Sequence, residues 1–126
     1  MSYTNVLQMG NKHQEMIKLA DFYDKEIDFM KGLLKEVVSK NTAKEMTTEA
    51  EHFQNQFLIQ QRNIEESKKR VESNQHLAYI DAKEHAGKID TALLTDEADI
   101  STELNGIEKI ILELRHNFKL FLVKWM

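Results

Sequence analysis

Apolar side chains recur at alternating spacings of four and three residues in three long runs. Met16, Ala20, Tyr23, Ile27, Met30, Leu34 and Val37 form the first, and Met46, Ala50, Phe53, Phe57, Ile64, Val71 and Ala78 the second. Ile100, Leu104, Ile107, Ile111, Leu114, Phe118, Phe121 and Trp125 form the third. This is the period of an α-helix with one buried stripe, and its sevenfold repeat is that of coiled-coil-like packing. In the second run Gln60, Ser67 and Asn74 take every second seam position toward its end, where polar residues usually set register at some cost in stability. In the first run Leu19, Phe22, Phe29, Leu33 and Val38 widen the stripe, which implies contact with more than one neighbour.

The punctuation between the runs sets the boundaries. Asn11 followed by Gln14 has capping-box spacing, so the first helix is expected at about 12–40, after a lead that carries Tyr3, Val6, Leu7 and Met9. Thr42 with Glu45 repeats that spacing and Gly87 suits a helix C-cap, giving a second helix at about 43–86. Thr95-Asp96-Glu97 supplies a cap and acidic first-turn residues for a third helix at about 96–126. Short connections force neighbouring helices antiparallel. The expected fold is all-α: an up-down-up antiparallel three-helix bundle forming a single domain over residues 1–126.

Composition narrows the function classes. The chain has no Pro, four Gly and no Cys, so there is little material for hairpins or phosphate-holding glycine turns, and none for disulfides or thiolate chemistry. A net charge of −4 argues against nucleic acid, and the one basic run, Lys68-Lys69-Arg70, is bracketed by Glu65, Glu66 and Glu72. No apolar run approaches the roughly 18 residues of a membrane span. The N-terminus lacks the basic flank and apolar core of a secretion signal, and a cytoplasmic location is expected.

Candidate chemistry is sparse. Glu49 with His52, and Glu113 with His116, have the Glu-x-x-His spacing used by ferritin-like di-iron bundles. Antiparallel pairing across the expected second connector places residue 113 opposite about residue 70, some 27 Å from His52, too far for a shared metal. His52-Phe-Gln-Asn-Gln-Phe, with His13 before it and His76 and His116 after it, resembles the histidine order of hemerythrin-like bundles. That resemblance implies a metal site. Where that family has acidic residues after its His-Phe pair, however, this chain has Gln54, Asn55 and Gln56. There is no Gly-x-Ser-x-Gly elbow and almost no loop to carry catalytic groups. Neither an enzyme nor a cofactor is expected.

The same register leaves the outer helices overlapping fully only in the middle. The segment from Phe118 to Met126 is apolar nearly all round and so expects burial on every side, while the second half of the first helix, from Ile27 to Val38, and the first half of the second lack a third partner. Unless residues 1–11 fold back over it, such a surface predicts an interface. The expected function is a non-catalytic protein–protein interaction or scaffold module, self-associating through its C-terminal helix, with a dimer favoured over another protein as partner. The expected interface residues are Leu33, Val38, Phe53, Phe57, Phe118, Phe121, Leu122 and Trp125. The alternative is a small bundle holding a metal ion or apolar ligand between its helices.

Overall fold

The computed structural model describes residues 2–126, with side chains from Val6 onward. Three helices account for nearly all of it: α1 (Ser2–Lys40), α2 (Lys44–Glu84) and α3 (Thr91–Trp125). They form an antiparallel up-down-up bundle in which each helix packs against both others. The three predicted seams converge on one continuous core running from Met16 to Val37, Met46 to Val71 and Ile100 to Phe121.

Two helix starts differ from those the capping signals suggest. α1 runs through Gly10-Asn11, because Met9 and His13 continue its stripe at the same spacing and are buried. Gly10 sits off that stripe, where an added Cβ would meet nothing. One such glycine costs a helix only about 1 kcal/mol, which a well-packed seam outweighs. There is accordingly no separate lead to fold back over the bundle. The side chains of residues 1–5, Tyr3 among them, lie outside the described residues.

α3 begins five residues earlier than expected. Asp90, not Thr95, is its cap: the carboxylate accepts from the Ala92 amide at 2.9 Å, while the Asp90 amide donates to Asp81 Oδ2 at 2.6 Å. The apolar connector residues Leu93 and Leu94 are its first turn. At α2 the Thr42 capping box is unused. Ala43 is the extended cap residue, and the Thr47 and Thr48 hydroxyls bond back to the carbonyls four residues earlier. The α2 C-terminus turns through Ala86 and Gly87, both at positive φ, with the Gly87 amide donating to the Ala82 carbonyl at 2.7 Å.

The earlier start of α3 moves its register on α2. Arg70 meets Glu103 and Asp96 instead of the vicinity of Glu113, a displacement of ten residues or more, roughly 15 Å along the axis. All three helices therefore overlap along nearly their full length. Parallel α1 and α3 are tied at the middle by Tyr23 to Glu108 at 2.9 Å and Arg115 to Glu26 at 2.7 Å. They are tied at the end by the Asn41 amide to the Trp125 carbonyl at 3.1 Å. The uncovered ends expected from the sequence do not exist in the monomer.

The Phe118 ring is edge-on to Phe53 and Phe57, with centroids 5.3 and 5.2 Å away, and stacked on Phe121 at 5.8 Å. Phe118→Ala is expected to lower the unfolding free energy by about 3–5 kcal/mol in chemical denaturation, the range for opening a cavity in place of a buried aromatic.

Candidate functional site

The register determines what the polar seam residues meet. Asn74, 1% exposed on α2, lies between α1 and α3. Its Nδ2 donates to the Leu93 carbonyl and to Asp96 Oδ2, each at 3.1 Å, which turns Oδ1 toward His13 Nε2 at 2.6 Å. Because Oδ1 can only accept, Nε2 carries the hydrogen. Glu97 Oε2 lies 3.2 Å from the same Nε2 but makes no hydrogen bond, since that single N–H is given to Asn74. Asp96 and Glu103 both receive Arg70, and Glu103 also accepts from the Ser67 hydroxyl at 2.9 Å. The result is a chain of polar contacts across all three helices, running from His13 to Ser67. Gln60, the third polar seam residue, is buried with Oε1 lacking any donor.

Chemically this cluster is a set of fixed partners. The Ser67 hydroxyl donates to the Glu103 carboxylate, which Arg70 also holds, and Ser67 is wholly buried, so it is not placed to attack a bound molecule. Tyr23 is also bound to a carboxylate, and burial together with the Glu108 hydrogen bond pushes its hydroxyl pKa up to about 12, far from proton transfer at neutral pH. Among the described residues no group of three or more His, Cys, Asp or Glu side chains could hold a metal ion. The register shift brings His116 nearer to His52 than the sequence spacing implies, yet both remain exposed. Glu49, the partner of His52 in the first Glu-x-x-His pair, is engaged by Trp125 and Lys124.

The eight residues expected at an interface divide sharply. Phe53, Phe57, Phe118 and Phe121 are core residues of the monomer, buried because the register lays α3 directly over the first half of α2. Trp125 is half-buried and closes the bundle's end. Its indole N–H donates to Glu49 Oε2 at 2.5 Å, and Lys124 lies 5.0 Å over its ring while reaching Glu45 and Glu49. Leu33 and Leu122 are partly buried against the core, and Val38 stays exposed. Beside Trp125, a groove of about 500 Å³ between α2 and α3 is lined by His52, Phe53, Asn117, Leu120 and Phe121, among others.

The surface carries a feature that the seam pattern does not isolate. α1 does contact two neighbours, as the widened stripe implies, with Leu19 and Leu33 packed against the core, but Phe22 and Phe29 are left out of that packing. They stand 57% and 68% exposed on the outer side of α1. Their spacing of two helical turns, off the seam, was the signal available. Among the described residues no helix is long and apolar enough to cross a membrane. Comparison of the chain with protein-family models, with curated proteins and with solved structures found no match.

Two carboxyls respond to pH with opposite sign. Burial pushes Glu97 up, partly offset by His13 and Lys12, so the folded state holds its proton more tightly and its contribution to stability falls as pH rises through that raised value. The Trp125 hydrogen bond, with Lys124, holds Glu49 down, so its contribution is present at neutral pH and is lost on acidification. In urea titrations from acid to neutral pH, Glu49→Gln is expected to lower the midpoint at neutral pH. Glu97→Gln is expected to raise it there, and both differences shrink in acid; shifts of the same sign would contradict the assignment.

Proposed function

We propose that this chain is a non-catalytic helical module that works by protein contact, its first partner being a second copy of itself. The observation that carries this reading is the exposure of Phe22 and Phe29 on a bundle whose own interior is filled. Burying a phenylalanine side chain stabilises by about 1.5–3 kcal/mol, and two left in water on one helix face mark a surface that gains by being covered. The interior supports the non-catalytic half of the reading. Its histidine, serine and tyrosine are each held by partners that fix them, and the connections span only residues 41–43 and 85–90.

The surface differs from the one the apolar repeat singles out. A dimer made by exchanging C-terminal helices has nothing to fill, because Phe118 and Phe121 are satisfied within the monomer. The contact instead belongs to the outer side of α1, with Leu33 as its inner margin.

Sedimentation equilibrium across the micromolar range is expected to show a reversible monomer–dimer system, and native mass spectrometry a dimer of unadorned chains. A monomer at every concentration would contradict self-association. A bound non-protein mass would favour the ligand-binding alternative.

A further inference from the structure

Resting on the self-association reading, we infer that two copies pair through the outer faces of their α1 helices, antiparallel about a two-fold axis near residue 27. At about 100° per residue, Glu15, Lys18, Phe29, Leu33, Glu36 and Lys40 all project within roughly 40° of the direction of Phe22. They form one stripe along α1. Its centre is apolar, with Phe22 and Phe29 exposed and Leu33 half-buried, and each end carries one acid and one base.

The order of those charges selects the orientation. Glu15 and Lys18 stand at one end, Glu36 and Lys40 at the other, and all four are exposed without an ion-pair partner among the described residues. A two-fold antiparallel pairing brings Lys18 opposite Glu36 of the second copy and Glu15 opposite its Lys40, and symmetry makes each contact twice. Phe22 then falls against Leu33 of the other copy, with the other Phe29 one turn away. A parallel pairing in register would set Glu15 against Glu15 and Lys18 against Lys18, placing like charges together at both ends.

Two further features fit this arrangement. Gly32 lies at the edge of the stripe, where the other copy's Phe22 would arrive, and an added Cβ there would meet nothing within its own chain. The monomer therefore gives no packing reason for a residue that weakens the helix by about 1 kcal/mol relative to alanine. Glu26, on the side of the stripe facing α3, is already neutralised by Arg115 at 2.7 Å. Lys25, exposed on the opposite side, is the one other charge near the axis, and its long stem lets the ammonium reach water at the edge of the contact.

The test is sedimentation equilibrium of the full chain in five forms, with circular dichroism melting as the control for folding. Phe22→Ser with Phe29→Ser is expected to leave a folded monomer. Lys18→Glu and Glu36→Lys, each alone, set like charges opposite one another twice per dimer and are expected to weaken association roughly tenfold. Lys18→Glu with Glu36→Lys in one chain restores opposite charges and is expected to return the dissociation constant to within about threefold of the original. A wild-type chain that stays monomeric would overturn the self-association reading itself and leave the face to a different protein. A wild-type dimer that is indifferent to the serine pair, or whose double charge swap is no better than the single ones, would overturn the α1 pairing alone.

Discussion

One buried amide ties the three helices together at a fixed height. Asn74 reaches α1 through His13 and α3 through the Leu93 carbonyl and Asp96, and it does so where water cannot substitute for a lost partner. Sliding α3 by a heptad would keep apolar side chains facing apolar side chains, since the seam repeats. It would strand this amide, which is 1% exposed, whereas its Asp96 partner can turn to water. A buried polar group left unpaired costs about 1–3 kcal/mol, so the network discriminates between registers that the apolar seam alone leaves nearly equal. Whether or not the network adds net stability, it removes the alternatives.

The opposite end of the bundle is secured differently. The rings of Phe53, Phe57, Phe118 and Phe121 interlock by edge and face contacts, which gives aromatic packing its directional preference. Trp125 and Lys124 close that end on Glu45 and Glu49, and Asn41 ties the end of α1 to the end of α3. With polar contacts fixing height at one end and aromatic packing filling the other, the monomer has no gap for a second chain to fill. The apolar groups left over are those on outer faces, and Phe22 and Phe29 are the two aromatics among them that share one stripe of α1.

Much of this was legible in the chain. Every apolar seam residue from Met16 to Phe121 is buried where its spacing puts it, and the polar seam residues Gln60, Ser67 and Asn74 are interior. What misled was punctuation. Gly10-Asn11 looks like a break, but the spacing from Met9 through His13 to Met16 continues the stripe with a histidine standing in for an apolar residue. The start of α3 was hidden for the same reason: its second seam position is Glu97, a charged residue that reads as a first-turn acid until His13 is placed beside it. Asp90, six residues after the end of α2 at Glu84, caps α3 where apolar Leu93 and Leu94 suggested a connector. A connection placed about two residues late at its start and five at its end, and closed by a tighter turn than expected, moved the register by ten or more. That error alone turned core phenylalanines into an expected interface, because residues opposite one another were assigned to open ends.

The register between α2 and α3 carries the whole account, and the absence of native cysteine makes it directly measurable. In a cross-linking experiment with a short bifunctional thiol reagent, a chain with Arg70→Cys and Glu103→Cys is expected to close an intramolecular bridge rapidly, because the two long side chains meet there. A chain with Arg70→Cys and Glu113→Cys, the pair that the apolar repeat and capping signals alone would bring together, is expected to bridge little. Rapid closure of the second pair and not the first would contradict the fold described for α3, the role of Asn74 and the burial of the phenylalanine cluster together.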